Sequence, residues 1–156
     1  MSVSARPLLA LLLLLVGVSA SPAQQLQRFP TGELMIESAN GRHKFRVELA
    51  TTPAQLEQGL MFRQSMAPDS GMLFDFRHPM PVSMWMKNTF IPLNMLFIDA
   101  QGRIINIAER TVPHSLDPVS AAAPARAVLE LNGGTASRLG IRPGDRVLSP
   151  IFGNAS

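Results

Sequence analysis

Cysteine is absent from the 156 residues, and so is tyrosine. Without a thiol the chain forms no disulfide, holds no thiolate-bound metal and offers no thiol nucleophile. It also lacks the cysteine that would carry a lipoprotein anchor behind an export signal. Aromatic residues are sparse, eight Phe and a single Trp. Neither charge dominates: 14 Lys and Arg face 11 Asp and Glu, and no run of Lys or Arg exceeds two residues. That balance excludes the basic patch or stripe of a nucleic-acid footprint. No glycine loop of the phosphate-cradling type occurs, and no serine sits in a nucleophile elbow.

One long apolar run is present, residues 8–20, with Arg6 just ahead of it. A positive flank, an apolar stretch of about 13 residues and then small residues is the pattern of a secretory signal peptide. The run is shorter than the roughly 20 residues a membrane span needs. Cleavage fits after Ala20 (Val18-Ser19-Ala20) or after Ala23 (Ser21-Pro22-Ala23). The expectation is a signal peptide over 1–23, a flexible lead over 24–32, one β domain over 33–150 and a tail over 151–156. The mature chain, 13 basic residues against 11 acidic, is then periplasmic or secreted, with no membrane span left after cleavage.

The mature chain reads as short strands punctuated by turns. Asn40-Gly41 is a strong hairpin signal. Beyond it Phe45, Val47 and Leu49 alternate with Lys44, Arg46 and Glu48, as in a half-buried strand. Thr52-Pro53-Ala54-Gln55 has the form of a capping box with proline at the first helical position, and Gly59 stops that helix after two turns. Further strands are expected over 72–76, 82–86 (a buried aromatic run), 93–98, 104–107, 126–131 and 146–148. Thr135–Leu139 makes one helical turn closed by Gly140, and 110–125 is a loop. Seven or so short strands with one or two short helices predict an all-β domain, an antiparallel β-sandwich or barrel-like fold.

From residue 59 the sequence resembles a known family. Gly59-Leu60-Met61-Phe62-Arg63, Gly71-Met72-Leu73-Phe74, Trp85-Met86-Lys87-Asn88-Thr89 and Ile91-Pro92-Leu93 carry the likeness, with Phe97-Ile98-Asp99, Gly102, Leu129-Glu130, Gly134, Leu139-Gly140-Ile141 and Gly144-Asp145. Together, over about residues 43–148, they resemble domain of unknown function 192. The resemblance implies a small all-β domain, often behind an export signal, and no established activity. Where that family often has Asp after Pro-Leu, this chain has Asn94.

Three constellations carry chemistry. The first is an indole beside convergent polar groups: Trp85, Lys87, Asn88 and Thr89, with Arg63 and Asn94 in support. A sugar ring needs such a pairing, an apolar face to stack on and donors and acceptors for hydroxyls. The structural alternative is a core Trp85, with Asn88 and Thr89 bonded to their own backbone. The second is His78 with Met80, Met84 and Met86, soft ligands suited to Cu(I); the alternative is gap-filling methionine. The third is Glu130, flanked by Leu129 and Leu131, which needs a partner such as Arg63 or Lys87; with Asp75 it is the candidate acid–base group. The favoured expectation is an exported, non-catalytic binding domain without a cofactor or metal, whose partner is an envelope glycan, a cell-wall fragment or a protein. The alternatives are a hydrolase of envelope polymers, with Lys87 as electrostatic stabiliser, and a periplasmic Cu(I)-binding protein.

Overall fold

The computed structural model describes residues 26–155; the signal peptide expected over 1–23 lies outside them. The elements run β1 (Thr31–Ser38), β2 (Gly41–Ala50), α1 (Pro53–Gln58), β3 (Ser70–Met80), β4 (Ser83–Met84), β5 (Leu93–Ile98), β6 (Ile104–Ala108), β7 (Val119–Ser120), β8 (Ala125–Asn132), α2 (Thr135–Leu139), β9 (Arg146–Leu148) and a 3-10 turn, Pro150–Phe152. Seven strands form one curled sheet in the order β6-β5-β8-β3-β2-β1-β9, and β4 pairs with β7 in a small second sheet. The all-β expectation with two short helices is met.

Local chemistry accounts for the elements. Thr52 Oγ1 accepts from the Gln55 amide at 3.3 Å, and Gln55 Oε1 accepts from the Thr52 amide at 3.2 Å, the reciprocal capping box that starts α1. The β1–β2 hairpin pairs Ser38 with Gly41. The turn residues are therefore Ala39 and Asn40, one position earlier than Asn-Gly pairing predicts, and Gly41 opens β2 at φ 121°. Every sheet pair is antiparallel except β2 with β3, which run parallel because α1 carries the chain back between them. The buried strand expected over 82–86 is only two residues long. Met86 is buried, but Trp85 is 45% exposed.

β5 and β8 lie inside the sheet and are buried on both faces, so the sheet carries two cores. Leu34, Ile36, Phe45, Leu96, Leu129 and Val147 fill the inside of the curl. Met72, Phe74, Met95, Phe97 and Val128 face the other way and are covered by Leu60, Val82 and Met86. Alternation along β8 sends Leu129 and Leu131 into the first core. It turns Glu130 toward the second, and there a cleft lies.

Candidate functional site

The cleft opens between the end of α1 with its following turn, the outer face of β3 and β8, and the segment 83–89. Its volume is about 180 Å³, below the roughly 300 Å³ at which drug-sized sites begin. That is the size of one ring or one short group. Leu56, Met61, Phe74, Phe76 and Met84 make the walls apolar, Trp85 stands at the mouth and Glu130 lies at the floor.

Gly59 sets the width of the cleft. It ends α1 at φ 49°, ψ −133°, a conformation reserved for glycine. A Cβ there would stand 2.9 Å from the Phe74 ring. The next residues turn sharply: Phe62 is itself left-handed at φ 68°, and its amide donates to the Asn88 carbonyl at 2.9 Å. Asn88 is left-handed too, at φ 53°. The His114 amide in turn donates to the Thr89 carbonyl at 3.2 Å, and His114 has φ 64°. Three segments are thus braided beside the cleft, each with a strained non-glycine residue, as functional sites often are. Along the braid Phe90 meets Phe62 edge to face and His114 at a tilt, with ring centroids 6.5 and 5.1 Å apart.

Of the six residues expected at a ligand surface, Trp85 and Thr89 line this cleft, and Arg63, Lys87, Asn88 and Asn94 do not. Trp85 and Lys87 are exposed, and the Lys87 ammonium sits 4.9 Å from the centre of the indole ring, a cation–π contact. Thr89 is buried on the wall, and its hydroxyl donates to the Lys87 carbonyl at 3.1 Å. Asn88 is half-buried and braces the turn through its carbonyl. Thr89 thus bonds nearby backbone as its structural alternative has it, whereas the Asn88 side chain donates to Met61 Sδ at 4.0 Å. Arg63 bonds Glu48 at 2.8 Å and lies 6.0 Å from the Phe29 ring. Asn94 is fully buried, and its Oδ1 accepts from the Ala136 amide at 3.0 Å at the start of α2. β5 points that side chain into the first core's side of the sheet, so Asn94 belongs to the packing of α2 and not to the surface around Lys87.

Neither cation proposed for Glu130 reaches it. Arg63 is held by Glu48 and Lys87 by Trp85. Among the described residues the Glu130 carboxyl has no hydrogen bond and no ion pair, although only 4% of the residue is exposed. Burial pushes its pKa up to about 8, because an uncompensated carboxylate is costly away from water. A carboxyl so shifted keeps its proton at neutral pH and can both donate and accept a hydrogen bond. Asp75 is the opposite case. It is equally buried, but its Oδ1 accepts from the Arg77 amide at 2.8 Å and from Arg126 Nε at 3.3 Å, which makes it a structural brace.

The His-Met set does not share one surface. His78 is exposed near the end of β3, whereas Met86 is buried in the second core with its sulfur accepting from the Thr111 hydroxyl at 3.1 Å. Among the described residues no three His, Asp or Glu side chains cluster to hold a metal.

A sequence reading reaches Trp85 and flags Glu130 as an acid between two leucines. It misses Met61, Phe74, Phe76 and Glu57 as cleft residues. Their spacing carries only a core signal, and nothing local shows that the turn after α1 folds against β8.

The fold and the motifs also have known counterparts. A chain from Sinorhizobium meliloti 1021, described as a "putative transcription regulator", is 48% identical, with a TM-score of 0.78 over 81% of this chain and 99% of its own. A protein of unknown function from Novosphingobium aromaticivorans DSM 12444 is 42% identical, with a TM-score of 0.77 over 84% and 94%. No curated protein matches the chain. The model of the DUF192 family, described as "Uncharacterized ACR", matches residues 35–149, and the chain belongs to that family.

Proposed function

We propose that the domain is exported and acts as a binding module of the cell envelope, taking one sugar ring of a glycan or cell-wall fragment into the cleft beneath Trp85. One observation carries the reading: Glu130, a buried residue whose carboxyl has no protein partner among the described residues and opens to the cleft, lies at its floor, with an exposed indole at the mouth. Protein interiors satisfy nearly all their polar groups. A buried polar group left open to a cleft is completed by what enters it. The indole supplies a stacking face and Glu130 bonds a hydroxyl. Export is supported by the apolar run at 8–20 behind Arg6.

The name given to the Sinorhizobium relative is not carried over. α1 and α2 have six and five residues, too short to lay a recognition helix in a major groove, and the charge balance lacks a basic field.

Trp85 is the sole tryptophan, so its fluorescence reports the cleft directly. Titration with mono- and oligosaccharides is expected to change its emission saturably and to raise Tm. A saturating ligand at 100 times its Kd adds about 2.7 kcal/mol to the folded state. If no saccharide perturbs Trp85 or Tm, the reading fails. The raised pKa of Glu130 favours one second reading, a hydrolase of envelope polymers with Glu130 as proton donor. Turnover of a bound oligosaccharide that disappears in Glu130→Gln, with binding retained, would establish it over the binding module.

A further inference from the structure

Resting on the reading of the cleft as a ring-binding site, we infer that its preferred ligand is a sugar bearing a free amine, whose ammonium pairs with Glu130. Two observations converge on this. The charged residues that line the cleft are Glu57 and Glu130, both acidic, and no Lys, Arg or His lines it. Three other side-chain oxygens of its wall are already engaged. Gln58 Oε1 accepts from the Gln27 amide at 2.8 Å, the Thr89 hydroxyl bonds the Lys87 carbonyl, and Ser83 pairs with Ser120 at 2.7 Å. The two glutamates are left without an ion pair among the described residues.

The surroundings of Glu130 sharpen the selectivity. β3 and β5 present Met72, Phe74, Met95 and Phe97 to it and no charge. α1 contributes Glu57, and the turn after α1 contributes Arg63, which is bound to Glu48. The 83–89 segment contributes Lys87, whose ammonium lies over the indole. A ligand ammonium thus meets Glu130 at the floor, a second acid, Glu57, among the exposed lining residues, and no lining cation. A neutral hydroxyl gains one neutral hydrogen bond there, whereas an ammonium gains a charge-assisted one in a water-poor site, about twice as strong. A ligand carboxylate or phosphate is repelled. Pairing also has a proton signature. The empty cleft holds Glu130 protonated, an ammonium stabilises the carboxylate, and the displaced proton goes to solvent. The O–H bond of the carboxyl breaks, and no covalent bond to the ligand forms.

The test is calorimetric titration of the mature protein with glucosamine, N-acetylglucosamine and glucose at about pH 6.5, below the range in which free amines of this kind begin to lose their charge. Each titration is run in two buffers of different ionisation enthalpy, with Trp85 emission as a parallel readout. Glucosamine is expected to bind at least tenfold more tightly than either neutral sugar and to release close to one proton per ligand. Glu130→Gln is expected to erase both the preference and the proton release. Glu57→Gln is expected to weaken glucosamine severalfold without abolishing the proton release. Equal affinities with no proton release would overturn the amine assignment and leave the cleft as a neutral-sugar site. No heat and no change in Trp85 emission with any of the three would overturn both.

Discussion

Burial of Glu130 makes the stability of the fold depend on pH. The Glu130 pKa is raised from 4.5 to about 8 by desolvation. Between those values the unfolded chain has lost the proton while the folded chain keeps it, so stability falls as pH rises. The full contribution is present below about pH 4.5, the loss accumulates up to about pH 8, and above that both states are ionised and the loss stops growing. Within the window each pH unit costs at most about 1.4 kcal/mol. Gln keeps the shape of the side chain and cannot ionise. The Tm of Glu130→Gln relative to the natural protein is therefore expected to climb from pH 4.5 to 8 and then level off. A difference independent of pH would show that the carboxyl is solvated or paired in solution. Asp75, as deeply buried, accepts from Arg126 and from the Arg77 amide. Two acids with the same exposure thus have opposite roles, and the difference lies in their partners.

At the scale of elements, the device that builds the cleft is the stop at the end of α1. Gly59→Ala places a Cβ 2.9 Å from Phe74 in a backbone conformation that costs alanine roughly 1–3 kcal/mol. It is expected to lower stability by that order in urea unfolding and to weaken saccharide binding, because the turn that carries Leu60 and Met61 must lift from Phe74. Thr52→Ala removes the other end of the same helix at about 1 kcal/mol and serves as the comparison, since it leaves the turn in place. If Gly59→Ala weakens binding no more than Thr52→Ala does, the turn does not shape the site. These elements also show what was legible in the sequence. The capping box, the strand Leu93–Ile98, the helical turn Thr135–Leu139 and the alternation of β2 could be read from local patterns, because their causes are local. The parallel pairing of β2 with β3, the outward turn of Trp85 and the isolation of Asn94 could not. Each is decided by which segment packs across the sheet. The same holds for Glu130: its place between leucines marks it as buried, but only the path of the 60–63 turn shows that Arg63 goes to Glu48 and leaves the acid open.

At the scale of the whole molecule, the curled sheet must deal with its two edges, β6 and β9, since open edges invite association with other chains. It ties them to each other. The Ile104 amide donates to the Asp145 carbonyl at 2.9 Å, the Val147 amide donates to the Gly102 carbonyl at 2.7 Å, and Arg103 bridges Arg146. Asn154 adds a clasp, with Nδ2 donating to the Gln101 and Val147 carbonyls. Gly102 is the pinch point. It has φ 83°, and a Cβ there would stand 2.5 Å from the Val147 carbonyl oxygen, a backbone atom that cannot step aside alone. Gly144 has an equally unusual φ of 96° but open space around it, so Gly144→Ala measures backbone strain without a clash. Gly102→Ala is therefore expected to be the more destabilising of the two, losing roughly 2–3 kcal/mol, and to associate at high concentration by light scattering as the edges part. Equal losses in the two variants would mean that the edge tie contributes nothing beyond strain. The cleft lies on the opposite face of the sheet from the core that this closure seals. Wherever Gly102→Ala remains folded, Trp85 should still respond to saccharide with the natural affinity. Loss of that response in the folded variant would show instead that β8, which sends Leu129 inward and Glu130 outward, transmits the opening of one core to the site on the other.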